Sequence, residues 1–345
     1  MKVNFVIPST VLGGGIRIVF TYANYLVSQG HDVVVYVPCL YAWPDIENGK
    51  INVKTSLANT FKRGTKVNWF DNHFQIKLAF KISDTYIRDA DVTIATAWYT
   101  ARAVYNLSDT KGKKVYFVQD YEIWHQIKED VDNSYRLDMT RICITRTLAD
   151  KIYTECGVKS EVVYNGINDE EFMSDEKKMN TPKTIIMLGN FADYKGGKKG
   201  LEILCDIKKK YGTRIIIFGI SKPKFIPDDI EYYVLPERNK LISLYRESDI
   251  LLFPSLQEAW GLSVLEAMAN KTAVVGMKAG CLQEIGVDGE NCLLADLNFE
   301  ELQEKLEYLL ENDDLIRRLQ DKGYATANGF RWSESFEKFE KLLIE

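Results

Sequence analysis

Glu258 and Glu266 stand eight positions apart in the run PSLQEAWGLSVLEAMA, which follows the apolar segment Ile250–Phe253. On one continuous helix they would share a face about 12 Å apart, at roughly 1.5 Å per residue. A carboxylate pair that hydrolyses one bond needs roughly 5–9.5 Å. The spacing therefore suits gripping two parts of one extended ligand, or else marks two solvated helix carboxylates. Gly261 between them lets the backbone approach a ligand, and Ser263 reads as a cap or first residue of a helix. The amides at such a helix start favour an anion.

A second glycine turn, Gly13-Gly14-Gly15, follows the first apolar run. It precedes a helical pattern over 16–29, with Ile18, Val19, Ala23, Leu26 and Val27 at helical spacing. It reads either as a cradle for a phosphate or acidic sugar, or as a tight turn with nothing bound. A dinucleotide fingerprint would need a third glycine where Ile18 stands and a carboxylate ending the second strand, which closes instead on Tyr36-Val37-Pro38-Cys39. Dehydrogenases are disfavoured, and the lack of a Walker A sequence disfavours NTPases. Asp130-Val131-Asp132 has the form of a metal-holding D-x-D, but polar residues precede it where an apolar strand is required. His31, His73 and His125 do not cluster, although His125 is a candidate cleft residue. The six cysteines lie far apart with no C-x-x-C, so neither zinc nor a disulfide framework is indicated and a reducing compartment is expected.

The elements that must position these residues alternate in kind. Strands are expected at 3–7, 33–37, 92–95, 115–118, 142–145 and 162–164, then at 184–188, 215–218, 250–253, 273–275 and 292–294. Each ends in a Gly or Pro punctuator and usually leads into a helical pattern, as in doubly wound parallel sheets. A polar stretch over 168–182 has a linker's composition. The division expected is 1–168 for a first lobe, completed by the C-terminal helix 331–345, and 169–330 for a second.

With 345 residues, 46% of them hydrophobic and 27% charged, the chain has mass for two cores. Net charge is −5, and all of it lies in 173–345, because 1–172 holds 20 basic and 20 acidic residues. No basic field favours nucleic acid. No apolar run reaches the roughly 18–20 residues that cross a bilayer, and the first is too short for a signal peptide, so a cytoplasmic location is expected. Lys54, Lys62, Arg63 and Lys66 near Phe61, Trp69, Phe70, Phe74 and Phe80 could rest on an anionic membrane or meet a lipid-linked acceptor, or form a solvated loop beside an apolar helix.

Over essentially its whole length the chain resembles the retaining glycosyltransferases of family four. The resemblance rests on Glu258 to Glu266, Val163-Tyr164-Asn165-Gly166-Ile167, Gly13 to Gly15, Leu188-Gly189 to Lys195-Gly196, Gly280 to Glu284, and Asp288 to Asn291. It implies a GT-B α/β fold, two Rossmann-like doubly wound parallel-sheet lobes facing a central cleft. It also implies transfer of a hexose from a nucleoside diphosphate sugar to a hydroxyl on a saccharide or lipid-linked acceptor, in polysaccharide or glycoconjugate synthesis, without a metal cofactor. Glu258 would touch the donor sugar, Gly261 and Leu262 would present amides to the diphosphate, Glu266 would hold the ribose hydroxyls, and Lys195 would neutralise the leaving group. Gly14, Gly15, Asn165, Gly189 and Asn190 complete the implied donor-binding set. Two departures stand out. Asn190 replaces a usual Arg, with Arg17, Lys198 or Lys199 as substitutes. Gln119-Asp120-Tyr121-Glu122 occupies the place of a usual His, which makes Asp120 a third catalytic candidate beside Glu258 and Lys195. That segment is similar to bacterial glucosyl- and rhamnosyltransferases of surface polysaccharides. A sugar-nucleotide epimerase, a sugar phosphorylase and a non-catalytic nucleotide-sugar binder are the alternatives.

Overall fold

In a computed structural model that describes residues 1–39, 46–47, 50–51, 65, 67–123 and 127–345, the chain forms two compact units. One comprises Met1–Tyr164 with Phe336–Glu345, the other Asn165–Ser335. Lys54, Phe61, Lys62, Arg63, Lys66 and His125 lie outside the described residues.

In the first unit the strands are β1 (Lys2–Val6), β2 (Asp32–Pro38), β5 (Gln75–Ala79), β6 (Val92–Ala95), β7 (Lys113–Val118), β8 (Thr140–Cys143) and β9 (Glu161–Val162). They line up as β5-β2-β1-β6-β7-β8-β9, every pairing parallel. A two-residue pair, β3 (Ile46–Glu47) and β4 (Lys50–Ile51), stands apart. Val3, Phe5, Val6, Val35, Ile94, Val115 and Phe117 are fully buried, as expected where helices cover both faces of a parallel sheet. Those helices are α1 (Gly14–Ser28), α2 (Trp98–Tyr105), α3 (Lys128–Tyr135) and α4 (Arg146–Cys156). The α1 helix starts inside the glycine turn, two residues earlier than its apolar pattern. Its inward side is Ile18, Val19, Phe20, Tyr22, Ala23 and Leu26, while Val27 is half-buried.

Of the aromatics considered for a membrane face, Trp69 stacks on Phe20 at 5.4 Å and Phe70 and Phe74 meet the same ring edge-on; Phe74 is buried, Trp69 and Phe70 half-buried. Phe80 is exposed. The D-x-D pair lies on α3, where Asp130 pairs with Arg102 at 3.0 Å and Asp132 with Lys128 at 2.6 Å.

The second sheet runs β12-β11-β10-β13-β14-β15, again all parallel. Its strands are β10 (Thr184–Leu188), β11 (Arg214–Gly219), β12 (Glu231–Val234), β13 (Ile250–Phe253), β14 (Ala273–Met277) and β15 (Leu293–Ala295). Its helices are α5 (Gly197–Tyr211), α6 (Arg238–Glu247), α7 (Leu262–Ala269), α8 (Leu282–Ile285), α9 (Phe299–Leu310) and α10 (Asp313–Ala327). The 168–182 stretch does not hang free as its composition suggests. Phe172 and Met173 are buried. Lys177 Nζ donates to the carbonyls of Tyr245, Arg246 and Ser248, closing the end of α6, so a charged residue serves here as a helix cap. Burial lowers the Lys177 pKa to about 8.

A last helix, α11 (Trp332–Ile344), carries the chain back into the first unit. Phe336 stacks on Tyr25 at 4.5 Å, and Phe339 packs on Tyr22 and Phe117. Glu340 binds His31 Nε2 at 2.6 Å and the Tyr25 hydroxyl at 2.8 Å. His31 thus fastens this helix as well as leading into β2.

Candidate active site

Strand order reverses between β10 and β13, since β11 lies outside β10 and β14 outside β13. Ligands of open α/β sheets bind beyond the strand ends at such a reversal, and seven of the donor-site candidates follow these two strands. Gly189 follows β10 tightly, because a Cβ would stand 2.8 Å from Ile217 and 2.9 Å from the Tyr232 hydroxyl. Asn190 Oδ1 accepts from the Ala192 amide at 3.3 Å, so the residue in the usual Arg position shapes the loop. The chain then turns through Asp193–Lys195 to Gly196, whose φ is +63° and whose Cβ would fall 2.1 Å from the Pro254 carbonyl oxygen. Only glycine permits this approach.

The approach brings Lys195 to Glu258. The Lys195 Nζ lies 2.7 Å from Glu258 Oε2 and 3.3 Å from the Gln257 carbonyl, with the two side chains about 16% and 19% exposed. The amides of Leu256 and Gln257 both donate to the Tyr194 carbonyl, fixing one loop on the other. Gly280, at φ +57°, leaves room for Glu258, since a Cβ there would lie 2.9 Å from Glu258 Cγ. Lys198 and Lys199, considered as replacements for the missing Arg, face Asp193 and Glu202 and are mostly exposed.

Glu258 stands in the loop before α7, so the continuous-helix spacing of about 12 Å does not apply to it. Nor does Ser263 cap the helix. Gly261, at φ +87°, is the N-cap with no side-chain bond, and the first turn carries no acidic residue. That leaves a helix N-terminus suited to an anion, with Leu262 as its first residue.

Glu266, in the same helix, is buried. Its Oε1 accepts from Arg238 Nη1 at 2.5 Å and its Oε2 from the Tyr245 hydroxyl at 2.9 Å. Arg238 also holds the buried Glu171, with Nε 2.6 Å from Oε1 and Nη2 on the other oxygen. Burial works against the Arg238 charge, but the Glu266 and Glu171 carboxylates more than reverse this and hold its pKa above the ordinary value. Sequence reasoning missed Arg238, Glu171 and Tyr245. The available signal was helical phase: Arg238, Leu241 and Tyr245 share the face that packs inward.

The remaining candidates have local surroundings of their own. Asn165 is buried, and its Oδ1 has no hydrogen-bond partner among the described residues. Gly166 beside it presses on the Trp332 backbone. Asp288 and Asn291 cap loop amides at Leu294 and Val287, holding the fold. In the first unit, Gly15 lies against the Gln119 side chain, Gly14 is open, and Gly13 caps α1 without a side-chain bond. Asp120 Oδ1 accepts from the Tyr121 amide, and Glu122 accepts from the Trp98 amide at 2.6 Å, at the start of α2. Burial pushes the Glu122 carboxyl up to about 8, with the Trp98 amide opposing and the Asp120 charge adding to the rise.

Residues 168–326 match the family described as glycosyl transferases group 1. An uncharacterized glycosyltransferase of Methanocaldococcus jannaschii is 27% identical over 217 residues, 59% of each chain. A D-inositol 3-phosphate glycosyltransferase of Corynebacterium glutamicum is 25% identical over 235 residues, 62% of this chain and 54% of its own. The matched regions thus span under two thirds of these relatives. Among solved structures, HepE of Anabaena in complex with UDP and glucose aligns with a TM-score of 0.74 at 14% identity, over 99% of both chains. WaaG, a glycosyltransferase involved in lipopolysaccharide biosynthesis, aligns at 0.72 and 15%, again over 99% of both. These likenesses give both units the GT-B fold, and the segment that carries Lys195, Glu258 and Glu266 belongs to the glycosyl transferases group 1 family.

Proposed function

We propose that the chain transfers a hexose from a nucleoside diphosphate sugar to a hydroxyl of a saccharide or lipid-linked acceptor, with retention and without a metal, in polysaccharide or glycoconjugate synthesis. The observation that carries this reading is the 2.7 Å Lys195–Glu258 pair at the strand-order reversal, beside the open N-terminus of α7. The bond from the anomeric carbon to the diphosphate breaks with its electron pair going to the phosphate oxygen. The acceptor oxygen bonds to that carbon, and its proton leaves with the diphosphate. Lys195 and the first amides of α7 meet the growing charge on the leaving group. Glu258 orients both the sugar hydroxyls and Lys195, and Glu266 receives the ribose hydroxyls. Asn165, Gly189 and Asn190 shape the donor loop. Gly14 and Gly15 as donor-binding residues and Asp120 as a catalytic residue belong to the same proposal.

A cytoplasmic setting at a membrane's inner face belongs to the same proposal. No helix among the described residues is long and apolar enough to cross a membrane. The test is release of nucleoside diphosphate from a panel of nucleotide sugars, with and without saccharide and lipid-linked acceptors. Release that depends on acceptor supports transfer. Sugar conversion without release would make the chain an epimerase, phosphate-dependent exchange a phosphorylase, and binding without turnover a nucleotide-sugar binder.

A further inference from the structure

Glu171, Arg238, Glu266 and Tyr245 form one cluster, three of its members charged, in which Arg238 is half-buried and the other three are buried. Two carboxylates share a single guanidinium, and burying such a set is a poor way to stabilise a fold compared with apolar side chains of the same volume. The geometry is instead well suited to fixing one side chain. Glu171 takes two donors of the Arg238 fork, which locks the plane of the guanidinium and leaves Nη1 aimed at Glu266 Oε1, while Tyr245 fixes Oε2. The helix behind is pinned too: Asn270 donates to the Glu266 carbonyl, and Arg246 holds Asn270.

We propose that Arg238, anchored by Glu171, is a positioning residue of the donor site that acts through Glu266, holding that carboxylate aimed to accept the two ribose hydroxyls of a nucleoside diphosphate. The assignment rests on the donor-site reading of Glu266 given above.

The test compares ribose with its dideoxy form. UDP, GDP, ADP and CDP are screened by thermal shift, and the strongest is measured by calorimetry beside its 2′,3′-dideoxy counterpart. The wild type should prefer the ribose form roughly tenfold or more. Arg238→Met should erase that preference while leaving affinity for the dideoxy form unchanged, Arg238→Lys should restore part of it, and Glu171→Gln should weaken it. In a Glu266→Gln background, Arg238→Met should cost nothing further. Equal loss for both ligands, or a preference retained in Arg238→Met, would overturn the assignment. So would failure of Arg238→Met to fold together with an unaltered preference in Glu171→Gln. If the wild type shows no preference, or none of the four binds, the donor-site reading itself fails and this assignment goes with it.

Discussion

Lys195 faces a carboxylate before any substrate arrives, and this pairing determines what its removal does. With Glu258 2.7 Å away, the ammonium is held where charge builds on a departing diphosphate. Lys195→Ala should therefore lower turnover about a hundredfold while changing nucleoside diphosphate affinity far less. Steady-state kinetics beside calorimetry would show this, and wild-type turnover would mean that another cation does the work. Glu122 allows a prediction in pH. Its carboxyl is raised to about 8 in the fold from an ordinary value of 4.5, so between those values the folded chain binds the proton that the unfolded chain has released. Stability should then fall as pH rises from 4.5 to 8 and level off above. Glu122→Gln should flatten that part of the melting profile, where the wild type loses roughly 4 °C or more. An unchanged slope in the variant would place the proton elsewhere.

At the scale of elements, the site depends on two loops pressed together by glycines. Gly196→Ala would drive a Cβ into the Pro254 carbonyl at a positive φ. It should cost about 2 kcal/mol or more and part Lys195 from Glu258, lowering turnover with it. Gly157→Ala, at φ +74° with open space around it, is the control, expected to cost about 1 kcal/mol and leave turnover alone. Melting curves and turnover of both variants decide it. The strands behind these loops were legible: β10 and β13 were read to the residue because central parallel strands are continuous apolar runs. Edge strands were not. Lys77 interrupts β5, and no residue of β12 is fully buried, so neither shows an apolar run or a clean alternation. Glu258 and Glu266 were singled out by their spacing and Lys195 by the family resemblance, whereas Arg238, in the run PERNK, shows only the helical phase it shares with Leu241 and Tyr245. It pairs with Glu171, 67 positions away, and no local pattern encodes that pairing.

Across the whole molecule, each unit sets a glycine-capped helix near the reversal of its strand order, α1 after Gly13 and α7 after Gly261. Fixed amides with one ammonium would supply what a divalent ion supplies elsewhere. Transfer should persist in excess EDTA, assayed as acceptor-dependent release of diphosphate. Loss of activity restored by magnesium or manganese would return Asp130 and Asp132 to consideration as ligands. The return of Phe336–Glu345 to the first unit bears on how the protein is made. A ribosome delivers residues 1–164 first, but the ring that packs against Tyr22 and Phe117 is Phe339, and it arrives only after the whole second unit has been synthesised. The second unit can complete its contacts as it emerges, whereas the first keeps an aromatic face uncovered until the end. Of the two units, the one synthesised earlier is thus the later to finish folding, with its aromatic face open to aggregation in the interval.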